Sequence, residues 1–214
     1  MKNKRITAGI VIALLISAFA GGAFAYGLLP TRPTSKNLSF YTTGMNSEQK
    51  TAALNAAYTW SCVNKGISFG SLGDRTGNIN FADSFSDVGF MNFANIDWFY
   101  GVSTTASGYC WVDQNNNYNK FDIVLNTTCT WGNGNSGAYL DRQGNFTHEF
   151  GHAAGLFHSS SMPGGASPAN TSPEYYPTMW TNTTDVWGNN LTYYWRTLES
   201  DDISGVQYVS SLIN

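Results

Sequence analysis

The sequence predicts an α+β fold, and three observations predict it. Short β candidates alternate with helical patterns through the first two thirds of the chain. One of those helical patterns carries two histidines four residues apart. Beyond them the chain turns rich in Ser, Pro, Gly and Asn before a last helical stretch.

The totals suit one well-cored domain. The chain has 214 residues, a formal net charge of -3 and only 12% charged residues, so no basic surface argues for nucleic acid. A polar remainder heavy in Asn, Ser, Thr and Gly fits an extracellular, loop-rich protein, and a monomer is expected.

Lys2, Lys4 and Arg5 precede an apolar run from Ile6 to Leu29, and Ala23-Phe24-Ala25 supplies the small-x-small pattern of a signal-peptidase site. Residues 1–25 therefore read as a signal peptide cleaved before Tyr26. An uncleaved membrane anchor is the alternative, since the run is long enough to span a bilayer. Either way the rest of the chain faces outside the cytoplasm: secreted, or anchored with the domain outside. Residues 26–37, with Pro30 and Pro33, read as a linker. The domain follows over 38–214, with an upper part to about 158 and a lower part over 159–214.

Leu38 to Thr42 is the first strand candidate. Asn46 followed by Gln49 resembles a capped helix start, and Ala53, Ala56, Ala57, Trp60 and Val63 recur at helical spacing. A helix from about Ser47 to Asn64 is predicted, its stripe packing in the core. Ile67 to Phe69 and Asn78 to Ala82 are strand candidates separated by the glycine-rich Gly70 to Gly77, and Phe85 to Tyr100 reads as a loop over the sheet. Tyr109 to Val112 and Phe121 to Asn126 flank the turn-like Asp113 to Asn119. There Asp113, Asn115 and Asn117 imitate the start of a calcium loop, but Tyr118 stands where Gly is wanted and Val124 where an acid is wanted. Ca2+ is an open reading beside the plain turn.

After the glycine-rich Trp131 to Gly137, Leu140 to Thr147 opens a second helix that runs into His148-Glu149-Phe150-Gly151-His152-Ala153-Ala154-Gly155-Leu156-Phe157-His158. His148 and His152 share one helix face, about 6 Å apart along the axis, so both imidazoles can reach one ion. Glu149 beside them can act as general base. On a continued helix His158 would point roughly 240° further round. The helix must stop, and Gly155 stands where a stop is needed. Three histidines leave a fourth position for water, the arrangement of catalytic zinc; structural sites are closed by four ligands. The chain has only three histidines, all in this line, and five specified residues arise by accident on the order of once in a million positions.

This line resembles the metzincin signature H-E-x-x-H-x-x-G-x-x-H, and Ser159 after it is similar to the matrixin branch, the matrix-metalloproteinase-like peptidases. The resemblance covers roughly Leu38 to the end. It implies a twisted, mostly parallel sheet with two long helices and a loop-rich C-terminal part ending in a helix. It implies one catalytic Zn2+ held by His148, His152 and His158, Glu149 as general base, and hydrolysis of a protein or peptide substrate. It also implies an edge strand that pairs with substrate backbone, placed at Tyr100 to Thr105 with Tyr100, Val102 and Thr104 as its residues. Pro177-Thr178-Met179-Trp180 resembles the Met-turn, with Met179 beneath the metal; Met162 follows His158 too closely for that role. Leu198 to Tyr208 looks like the closing helix, with Asp201 and Asp202 in its first turn, where capping alone explains them.

Departures from the family pattern are also visible. No cysteine precedes the domain to block the zinc, no spare histidine serves a second zinc, and Thr181 stands where some metzincins place a ligating tyrosine. Trp187 and Tyr193 to Trp195 are aromatic enough to line a pocket, with core packing as their first use. Cys62, Cys110 and Cys129 make an odd count, so one bridge and one thiol are expected, with Cys110 and Cys129 as the pair. The competing function is a non-catalytic, zinc-stabilised extracellular binding module on a peptidase fold.

Overall fold

The computed structural model describes residues 27–96, 100–113, 115–159, 176–184 and 188–214. The leader and its cleavage point, Gln114, most of the loop after Ser159 with Met162, and Trp187 lie outside them. No helix among the described residues is long and apolar enough to cross a membrane.

A short strand β1 (Gly27–Leu28) precedes β2 (Asn37–Thr43), which leads into helix α1 (Ser47–Ser61). The sequence signal at Asn46 is realised: Gln49 N–H donates to Asn46 Oδ1 at 3.0 Å, and Asn46 N–H donates to Gln49 Oε1 at 2.9 Å. The helix ends three residues earlier than expected, with Cys62 capping it and Lys65 in the left-handed region at φ 61.

Strands β3 (Ser68–Arg75), β4 (Asp87–Met91), β5 (Gly108–Val112) and β6 (Phe121–Asn126) complete a sheet in the order β3-β2-β4-β6-β5. Its first four members are parallel and β5 closes one edge antiparallel to β6. The mostly parallel sheet is as expected, but two strands differ. β3 runs on through the glycine-rich stretch, because pairing with β2 needs backbone groups and its outward side chains face solvent. Asn78 to Ala82 forms no strand; Ile79 and Phe81 instead pack with Phe93 and Val124 against the sheet. β4 lies where a loop was expected. Its buried Asp87 breaks the apolar pattern, and that charge is matched by Arg75 and by the Thr43 hydroxyl.

The other sheet face carries the main core. Ala52, Ala53, Ala56, Ala57 and Trp60 of α1 pack beside α2 (Arg142–Ala153), and Trp60 Nε1–H donates to the Thr147 carbonyl at 2.7 Å. Phe150 of α2 meets Phe40, Phe69 and Phe121 with ring centroids 5.2, 4.8 and 6.1 Å away, so the helix is seated on the sheet by edge-to-face aromatic contacts. Two-residue strands β7 (Trp131–Gly132), β8 (Leu140–Asp141) and β9 (Leu156–Phe157) and helix α3 (Ser200–Ser211) complete the fold; β9 pairs antiparallel with β1.

Residues 27–36 are therefore no free linker. Leu29 N–H donates to the Gly155 carbonyl at 3.0 Å and Thr34 N–H to the Tyr118 carbonyl at 2.6 Å, because the backbone groups that flank Pro30 and Pro33 find partners just before β9 and on the hairpin turn. All three cysteines are free thiols, so the expected bridge is not formed.

Truncation of Phe150 to Ala should lower unfolding free energy by roughly 3–5 kcal/mol, the usual cost of a large aromatic cavity. Urea titration of the metal-free protein reads this as a lower midpoint at unchanged slope.

Candidate metal centre

The metal line is built from the helix outward. Asp141 caps α2, its Oδ1 accepting Gly144 N–H at 2.8 Å, and the Arg196 guanidinium lies against the same carboxylate with Nε 2.8 Å from Oδ1. The helix ends at Ala153, and Gly155 turns the chain back at φ 93. His158 is thereby returned to the face that carries His148 and His152, as the sequence demands.

His158 Nε2 lies 3.2 Å from His148 Nε2 and 3.2 Å from His152 Nε2. A tetrahedral ion bound at about 2.0–2.1 Å separates its ligand nitrogens by about 3.3 Å. The other ring nitrogens of the helical pair face backbone carbonyls: His148 Nδ1 is 2.6 Å from Thr178 O, and His152 Nδ1 is 2.8 Å from Leu156 O. A carbonyl accepts only, so each Nδ1 carries the proton and each Nε2 offers a lone pair. Burial, reinforced by the neighbouring histidines, pushes His152 down to about 3 and His148 well below the ordinary range. Neutral imidazoles at neutral pH are the ligand form. These three residues could hold a metal ion.

Glu149 is 5% exposed, and desolvation pushes its carboxyl up to about 8. A Cβ on Gly108 would meet Glu149 Oε1, Cδ and Cγ, so the carboxylate rests directly against the bare backbone of β5. A cleft of ≈ 480 Å³ opens here, lined by Glu149, the three histidines, the stretch from Thr105 to Cys110, Phe157 and Trp195.

Met179 lies fully buried beneath α2, where a Cβ on Gly151 would strike its sulfur. Asp202 does more than cap α3. Its carboxylate accepts Thr178 N–H at 2.9 Å, Met179 N–H at 3.2 Å and Glu199 N–H at 3.0 Å, which ties α3 to the turn whose Thr178 carbonyl orients His148. Sequence reading missed this role, because a capping acid and an acid reaching another element look alike in one dimension. Trp195 both fills the core and stacks on His148, ring centroids 4.7 Å apart.

The edge strand is displaced from its expected place. Tyr100, Val102 and Thr104 belong to no strand. Ala106 N–H closes a turn on the Ser103 carbonyl at 3.1 Å, and Asn126 Nδ2 donates to the Thr104 and Ala106 carbonyls at 3.0 Å each. Tyr100 and Val102 pack in the second apolar cluster instead. The sheet edge at the cleft is Gly108–Val112. At the calcium-like turn, Asp113 Oδ1 accepts Asn115 N–H at 2.8 Å and Asn117 Oδ1 accepts Arg32 N–H at 3.2 Å; these oxygens already serve the turn.

No protein-family model matches the chain, and no curated protein matches it. Among solved structures it is similar to a chain of the GM1-bound form of the ECX AB5 holotoxin, at TM-score 0.47 and 11% identity over 87% of this chain and 89% of that one.

Asp202→Ala should leave three backbone N–H groups without their acceptor and cost roughly 1–3 kcal/mol, read by denaturant titration. The Glu149 carboxyl makes a pH prediction for the metal-free protein. Between the unfolded value of about 4.3 and the folded value of about 8, the unfolded chain has lost a proton that the folded chain keeps, so rising pH favours unfolding. Glu149→Gln should therefore gain stability over wild type as pH rises through that window. Parallel difference curves from pH 4.5 to 8 would refute it.

Proposed function

We propose that the chain is an exported zinc-dependent endopeptidase of metzincin type, similar to the matrixins, acting as a monomer on protein or peptide substrates. The observation that carries this reading is the convergence of three imidazoles, with His158 Nε2 3.2 Å from Nε2 of both His148 and His152, and a buried carboxyl group beside them at an open sheet edge.

An all-imidazole set suits zinc among the first-row ions, and three protein ligands leave room for water and substrate. Zinc, when bound, supplies a Lewis acid that lowers the pKa of water toward about 7 and polarises a carbonyl. Glu149 accepts the proton of the attacking water and passes it to the leaving amine. Burial alone keeps the Glu149 carboxyl protonated near pH 7, and a cation bound beside it would favour the ionised form that accepts this proton. The outer edge of β5 offers backbone groups to an extended peptide, and this edge takes the place of Tyr100 to Thr105 in the proposal. Trp195 holds the His148 ring from one side while the Thr178 carbonyl fixes its tautomer.

The residues from Tyr26 onward, loaded with zinc, should cleave members of a mixed peptide library. Glu149→Ala should reduce that cleavage by about 10²–10⁴-fold, the usual worth of a general base, while retaining zinc. Folded, zinc-loaded wild type that cleaves nothing would instead support the binding-module reading.

A further inference from the structure

Two of the three candidate ligands are oriented by their own rings, through Thr178 O and Leu156 O. Among the described residues, nothing is bonded to Nδ1 of His158. Its backbone, in contrast, is held on both sides. On one side Ser159 N–H donates to the Met179 carbonyl at 3.0 Å. On the other, β9 is paired by β1, Gly27 facing Phe157 and Leu28 facing Leu156, and Leu29 N–H closes the ladder on the Gly155 carbonyl.

The contact is close. A Cβ on Gly27 would sit 2.9 Å from the carbonyl oxygen of His158 and 3.1 Å from Phe157 Cβ, so the strand passes directly over the ligand's own peptide. The strand is fastened beyond the histidines as well. Thr31 Oγ1–H donates to the Asp113 carbonyl at 2.7 Å, Tyr118 N–H to the Arg32 carbonyl at 3.0 Å, and Tyr118 O–H reaches the carbonyls of His152 and Ala153 at 3.3 Å. Leu29 itself lines the cleft.

We propose that Gly27–Leu29 is a positioning element of the metal centre: it clamps the backbone that presents His158, and metal affinity depends on it. This rests on the metal-binding reading of the three histidines. Loss of such a supporting contact typically costs 10–100-fold in metal affinity.

The test uses the full chain and Zn2+ alone, with affinity measured by competition against a chromogenic chelator and folding by the melting temperature of the metal-free protein. Gly27→Val presses a side chain onto the His158 carbonyl; Leu29→Pro removes the N–H bonded to Gly155. Each should raise the zinc Kd about 10–100-fold while the metal-free protein still melts in one cooperative transition, and either variant that folds suffices. If a folded variant binds zinc as tightly as wild type while His158→Ala binds weakly, the clamp is overturned and the metal site stands. If His158→Ala also binds like wild type, the metal reading fails and takes the clamp with it.

Discussion

Two imidazole lone pairs turned toward one point, those of His148 and His152, repel one another, and that constraint organises the molecule. Left alone, buried neutral imidazoles would rotate to pair an Nε2 with a donor. Here the protons of His148 and His152 are committed to the Thr178 and Leu156 carbonyls, so the lone pairs stay inward. The two carbonyls come from different places, one from the turn before Met179 and one from β9. Burial adds to the effect by holding the rings neutral. A cation held among the three rings would resolve the repulsion.

Such an arrangement needs a rigid frame, and the aromatic core supplies it. Phe150 lies two residues before His152 on the opposite face of α2, locked among Phe40, Phe69 and Phe121. Trp60 fixes the same helix through the Thr147 carbonyl, next to His148. Position along and rotation about the helix axis are therefore set by apolar packing on one side, while the chemistry stands on the other.

The lower part of the chain is attached by polar groups. Asp141 caps the helix that carries His148 and His152 and holds Arg196, which brings Trp195 onto His148. Asp202 reaches from α3 to the backbone of the Met179 turn. Each of these carboxylates is fully buried and satisfied by several donors, which is the condition under which a buried acid stabilises rather than disrupts. The cleft lies between the two parts as a consequence.

Much of this was legible in one dimension because it is local. Helical spacing of His148 and His152, a glycine before the turn to His158, the Asn46 and Gln49 cap, and the apolar stripe of α1 all depend on residues within a few turns of one another. What the tertiary structure alone decided depends on partners far apart in sequence. β3 crossed its glycines because β2 lay beside it, and β4 kept Asp87 because Arg75 stood opposite. The edge at the cleft moved from Tyr100, Val102 and Thr104 to Gly108–Val112 because Asn126 holds the preceding loop in a turn. Asp202 joined the histidine site through a carboxylate that reads in one dimension as a helix cap, and the amino-terminal strand did so through backbone hydrogen bonds, which any residue type can make and which therefore leave no mark in the sequence.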